Sequence, residues 1–200
     1  MIRMMLAAAL VALAIALCVT AAGAEQPTER VLAAMLALPQ YVGDRDDNPD
    51  KRSELYRPLA QTIAAEARGN RSKEAALVTL AWLESRLARY VLEGRCKEGP
   101  RGMRCDAHPR TGVPRARGAF QVWGWCRDAW RHPEGSIESM RAEARCASRM
   151  LSAGLQRCRG RHPAGDWAGA FSGYRNGACT WAPAAARARR METVLARLGS

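Results

Sequence analysis

SKEAALVTLAWLESRLARYVLE, residues 72–93, is the stretch whose reading decides the fold. Leu77, Leu80, Ala81, Leu87, Ala88 and Val91 recur at helical spacing and share a face, which predicts one amphipathic helix capped by Ser72 and ended by Gly94. Glu84 falls in the middle of that apolar stripe and is the one acid on it. A carboxylate moved from water toward an apolar wall loses solvation and, unless an Arg or Lys meets it, keeps its proton nearer neutral pH. That is the state a general acid needs. The same placement also describes a core glutamate satisfied by an arginine or by backbone N–H groups, and the stripe does not separate the two readings.

Upstream, residues 25–38 are predicted as a short helix with Thr28 as N-cap and Val31, Met35 and Leu38 inward. GDRDDNPDK, residues 43–51, is acidic and turn-rich and reads as a surface connection. A second helix is expected to start near Pro58, whose fixed φ suits a first turn, and to stop at Gly69-Asn70 after carrying Leu59, Ile63 and Ala67 inward.

Downstream, residues 95–117 are rich in Gly, Pro and Arg with almost nothing to bury, so they form a loop or a short ribbon. Residues 118–123 are apolar again and are expected to lead into a helix through Trp125 and Trp130, with Trp123, Trp125 and Trp130 read as core side chains rather than a sugar platform. Residues 138–156 form an amphipathic helix with Met140, Ala144, Ala147, Met150, Leu151 and Leu155 on or near one side. Residues 166–174, with Asp166 as N-cap, and residues 183–198 are predicted as further helices. No long alternating strand pattern occurs, so the fold class is mainly α: one compact helical domain with at most a small β-ribbon.

The chain opens with Arg3, an apolar run over residues 4–19 and Ala22-Gly23-Ala24, the pattern of a secretory signal peptide cleaved after Ala24. The run is too short for a convincing membrane span. The expected organisation is therefore a leader over residues 1–24, an N-terminal helix and polar connection over 25–57, and the main domain over 58–200. Of seven cysteines, Cys18 leaves with the leader. Cys96, Cys105, Cys126, Cys146, Cys158 and Cys179 remain, all after the Glu84 helix, and in an exported chain they read as disulfides stapling the C-terminal half. Their pairing is not fixed by sequence, although the spacing of Cys96 and Cys105 suits a local hairpin. Zinc is disfavoured, because no Cys-x-x-Cys knuckle or close His pair accompanies His108, His132 and His162; no metal or cofactor is expected.

The 31 basic residues outnumber 19 acidic ones, for a net charge of +12. Such a field concentrates anionic polymers, and outside the cytoplasm those are cell-wall polymers or acidic lipid rather than nucleic acid. The aromatics are not interleaved with Arg in the manner of a nucleic-acid platform.

Leu83-Glu84-Ser85-Arg86 at a helix, Ala116-Arg117-Gly118-Ala119-Phe120-Gln121 after a variable loop, the alanine-rich helix around Cys146, and residues 170–177, AFSGYRNG, stand in that order. The ordered set resembles the lytic transglycosylases and goose-type lysozymes of the lysozyme-like superfamily over roughly residues 58–198. In that family a Glu-Ser helix motif is followed by Gly-Leu-Met-Gln and then Tyr-Asn-x-Gly. The resemblance implies a lysozyme-like α+β domain with a substrate cleft, and places the end of the first helix nearer Glu84. It implies Glu84 as catalytic acid, Ser85 as its hydrogen-bonding neighbour, Gly118 as the glycine that lets the backbone approach the sugar, Phe120 and Gln121 at the cleft, and Tyr174 near the acid. Ala119-Phe120 replaces Leu-Met, and Asn176 stands one place later than the family's Asn.

A conventional glycosidase needs a second carboxylate. Glu93, Glu98 and Asp106 are the candidates, and none falls at a motif position. The expectation is therefore a monomeric, periplasmic or secreted lytic transglycosylase acting on peptidoglycan glycan strands, with Glu84 as single acid and base. The alternatives are a hydrolytic lysozyme and a catalytically silent cationic wall-binding protein. Ser85 lies in no Gly-x-Ser-x-Gly elbow and is not read as a nucleophile.

Overall fold

The computed structural model describes residues 26–41, 44, 48–96 and 115–199. The expected leader, Glu98, Asp106, Cys105 and His108 lie outside them. Four helices come first: α1 (Pro27–Leu36), α2 (Pro49–Ala67), α3 (Arg71–Ser85) and the single turn α4 (Arg89–Leu92). A two-stranded antiparallel ribbon follows, β1 (Ala116–Arg117) and β2 (Val122–Trp123), with Ala116 opposite Trp123 and Arg117 opposite Val122. A 3-10 turn (Ala129–Arg131), α5 (Ile137–Cys158), α6 (Asp166–Asn176) and α7 (Ala184–Gly199) complete the chain. The class is mainly α, as the periodicity predicts.

The main packing pairs are α5 with α6, α1 with α2, α3 with α7 and α2 with α5. At the α5–α6 crossing a Cβ on Gly154 would lie 2.7 Å from the Ala170 carbonyl oxygen, so only glycine allows this approach. Phe120, Phe171, Leu59, Ile63, Leu77, Leu80 and Met191 fill the centre. Disulfides join Cys126 to Cys146 and Cys158 to Cys179, tying the loop after the ribbon to α5 and the end of α5 to the chain after α6. Cys96 is also disulfide-bonded. The stapling of the C-terminal half is thus as expected. Among the described residues no helix is long and apolar enough to cross a membrane.

Three local expectations are corrected. The run over residues 72–93 is not one helix: α3 starts after Asn70, whose side chain accepts from the Lys73 N–H, and ends at Ser85. Arg86 and Leu87 then take left-handed φ values of 56° and 53°. Leu87, Ala88 and Val91 are buried as the stripe predicts, but Ala88 and Val91 pack in a separate cluster with Tyr41 and Cys96. Period reported burial correctly and continuity wrongly.

Second, α2 begins nine residues before Pro58, at Pro49, with Asn48 as its cap, so the expected boundary at residue 58 falls inside a helix. Third, residues 118–131 form turns, the second strand and a 3-10 turn instead of a helix. Two caps also differ. Gln26 rather than Thr28 precedes α1, and Gly165 precedes α6 while the Asp166 carboxylate accepts from the Gly160 N–H.

Glu84 is not the sole acid on the α3 stripe. Glu74, fully buried, receives a two-pronged contact from the Arg30 guanidinium of α1, at 2.8 Å to Oε1 and 3.2 Å from Nε to Oε2. A buried pair of this kind contributes little net stability, yet removing one partner strands a charge in the core. Arg30→Met is expected to lower the urea-unfolding free energy by about 3–5 kcal/mol, and the double change with Glu74→Leu to recover most of it. An additive double variant would contradict the pairing.

Candidate active site

The abrupt end of α3 puts Glu84 at the rim of a cavity instead of inside the core. Ser85 fixes that end: its hydroxyl donates to the Ala81 carbonyl at 2.7 Å and accepts the Leu87 N–H at 3.1 Å. The Arg86 N–H returns to the Trp82 carbonyl at 2.8 Å, and the Arg86 guanidinium lies 4.3 Å from the Trp82 ring centre. Ser85 therefore shapes the turn, and its hydroxyl is engaged with backbone rather than with the Glu84 carboxylate.

The cavity, about 720 Å³, is lined by Glu84, Gln121, Tyr174, Trp123, Trp125 and Met150 among others. Three of the sequence-predicted site residues thus meet in one cleft. Trp123 and Trp125 are 42% and 56% exposed, which corrects their reading as core residues. Trp130 is half-buried against the core.

Glu84 does not stand alone on an apolar wall. Its side chain is 13% exposed, and Arg187 of α7 donates to its Oε1 at 2.5 Å. Arg187 is itself held in place, with its guanidinium 4.8 Å from the Trp181 ring centre. The Trp181 N–H donates to Ser172 of α6 at 2.8 Å, and His162 Nε2 lies 3.4 Å from the Trp181 carbonyl oxygen. The cation facing Glu84 is therefore a positioned group built from α6 and α7 together.

Across the cleft, the Tyr174 hydroxyl donates to the Phe120 carbonyl at 2.8 Å. Burial first, and the nearby Glu84 charge second, push the phenol up, so Tyr174 stays a neutral donor. Gln121 has a left-handed φ of 48°, and its side-chain Nε2 donates to the Gly118 carbonyl at 2.9 Å, closing the turn on itself. The Phe120 side chain is fully buried, so its expected place at the cleft is corrected: only its carbonyl serves the site.

Gly118 is a glycine for a reason sequence did not give. A Cβ there would fall 1.9 Å from the carboxylate of Glu143 on α5, which lies under the turn and is 1% exposed. The Ser139 hydroxyl donates to Glu143 Oε1 at 2.8 Å, and Arg117 reaches both Ser139 at 3.2 Å and the His132 carbonyl at 2.9 Å. Burial raises the Glu143 carboxyl to about 7, against the opposing hydrogen bond from Ser139 and the Arg117 charge, with Glu134 adding to the rise. Glu143 thus supports the turn that carries Phe120 and Gln121 without lining the cavity.

Arg187 and Glu143 were missed by sequence reasoning, although the signal was present. Glu143 lies three residues after Met140 and four before Ala147, on the inward face of its helix. Arg187 lies four before Met191 and seven before Val194 on the inward face of α7. Each is a charged residue at an apolar position of its helical period.

A scan of protein-family models, a search of curated proteins and a search of solved structures each return no match. Geometry and chemistry therefore carry the reading of the site. Among the described residues no group of three or more His, Cys, Asp or Glu side chains is arranged to hold a metal ion.

Because folding raises the Glu143 carboxyl from 4.5 to about 7, the native state holds a proton that the unfolded chain has released. Its contribution is complete below pH about 4.5 and is lost as pH rises through about 7, a slope of about 1.4 kcal/mol per pH unit within that window. Glu143→Gln is expected to remove that slope from a series of melting curves. Parallel pH profiles for the two proteins would contradict the buried-acid assignment.

Proposed function

We propose that the protein is an exported lytic transglycosylase that cleaves the β-1,4 link between N-acetylmuramic acid and N-acetylglucosamine in peptidoglycan. One observation carries the reading: Glu84 is the only carboxylate among the described residues lining the cavity that also takes Gln121 and Tyr174. Glu93, the described alternative acid, is held by Arg89 and Arg95 and does not line the cavity. A single carboxyl suits a mechanism in which the substrate supplies the remaining groups.

In that mechanism the Glu84 carboxyl gives its proton to the glycosidic oxygen as the C1–O bond breaks. The N-acetyl carbonyl of the same sugar stabilises the positive charge at C1. The Glu84 carboxylate then takes the proton of the C6 hydroxyl, whose oxygen bonds to C1 and closes an anhydro ring. The proton given to the glycosidic oxygen is thus replaced by that of the C6 hydroxyl, and no water is consumed. Trp123 and Trp125 at the mouth offer flat faces to sugar C–H groups, and Tyr174 keeps the Phe120 carbonyl in place.

Arg187 bears on the order of events. It binds the carboxylate form of Glu84, whereas the first step needs the neutral carboxyl, so an entering glycan must part the pair. Held over Trp181, Arg187 stays close enough to receive the carboxylate as the glycosidic bond opens.

Release of soluble muropeptides from purified peptidoglycan is expected to fall at least about 100-fold in Glu84→Gln, with the helical circular dichroism spectrum of the folded protein retained. Retained turnover in that variant would remove the mechanism. The Arg187–Glu84 pair also suits a second reading, in which the net charge of +12 makes a catalytically silent binder of anionic wall polymers. Its signature is binding that fades with salt and no product at any pH.

A further inference from the structure

The cleft does not end at Trp125. That residue and Met150 also line a second cavity, about 430 Å³, which runs over the Cys126–Cys146 disulfide between the loop after the ribbon and α5. Its character differs from the first, because Arg127, Arg145 and Arg149 line it against one acid, Asp128. Arg145 is committed to Asp128 at 2.8 Å, and Asp128 lies 3.8 Å from His132. The Arg145 hydrogen bond holds the Asp128 carboxyl below the usual carboxylate range, so this pair stays intact into mildly acidic conditions. Arg127 and Arg149 form no ion pair with a described residue, and both are exposed.

Two guanidiniums that face one cavity and have no ion-pair partner among the described residues are poised for a carboxylate, which the planar fork of Arg binds through two parallel hydrogen bonds. The walls are fixed in advance: the disulfide joins them at a Cα separation of 6.1 Å, and Arg145 and Arg149 project from successive turns of α5. Shared walls make the two cavities one path across the surface. A glycan strand seated at Glu84 carries peptide stems on its muramic acid residues, and these stems end in carboxylates.

We propose that the second cavity is a subsite for the stem peptide of the bound strand, with Arg127 and Arg149 binding its carboxylate groups. It rests on the reading of the first cavity as a glycan cleft and extends that reading from the sugar backbone to the peptide. The protein would then prefer peptide-bearing strands over bare glycan.

Binding to Glu84→Gln protein, which separates recognition from cleavage, is measured at fixed salt for two probes. One is soluble uncrosslinked peptidoglycan strands carrying stem peptides, and the other is the same strands after amidase removal of the peptides. The peptide-bearing strands are expected to bind more tightly, and adding Arg127→Gln and Arg149→Gln to weaken their binding about tenfold while leaving bare strands unaffected. An equal loss for both probes would assign the effect to the general positive field and overturn the subsite. So would no loss for either. Bare strands bound without any preference for peptide would sink the subsite alone, whereas no binding of either probe would remove the glycan cleft as well. A melting curve of the triple variant checks that the fold survives.

Discussion

The reversal of the backbone at Arg86 and Leu87 is the constraint on which the site depends. Both residues adopt left-handed φ values that side chains with a Cβ disfavour, and they do so because Ser85 bonds to the turn on both sides and Leu87 is driven into the core. Glu84 is the last residue but one of α3. Ending the helix one residue later puts its carboxylate at the rim of an open cavity while its neighbours Leu80 and Ala81 stay in the core.

Around that carboxylate the fold uses buried polar groups as props for a turn that has little regular structure. The ribbon is only two residues on each strand, too short to hold Gln121 and Phe120 in place alone. Glu143 occupies the space under Gly118, Arg117 and Ser139 hold Glu143 in turn, and Tyr174 anchors the Phe120 carbonyl from α6. On the opposite side Trp181, Ser172 and His162 hold Arg187 against Glu84. The Cys126–Cys146 and Cys158–Cys179 bridges then fix the loops that carry these groups to α5.

Much of this was legible in the sequence, and the limits have physical causes. Helical periodicity located α5 to within two residues at each end and α7 to within one, because both carry one clear apolar face. The same signal joined α3 to α4, since a left-handed break of two residues leaves Leu87, Ala88 and Val91 buried at almost the positions a continuous helix would give. Pro58 misled for the opposite reason: a proline that suits a first turn sits in the middle of α2. Glu84, Gln121 and Tyr174 were found together because their motifs are ordered along the chain. Arg187 is 103 residues from its partner, and no local pattern links the two. The cause of Gly118 was equally hidden, being a carboxylate from another helix.

One carboxyl serving as acid and then as base, with a sugar hydroxyl in place of water, is the central claim. Its most direct test is digestion of purified peptidoglycan in water enriched in oxygen-18, followed by mass spectrometry of the released muropeptides. Anhydro ends, lighter by one water and free of the heavy isotope, are the predicted result. Reducing ends that carry oxygen-18, or no released fragments at all, would contradict it.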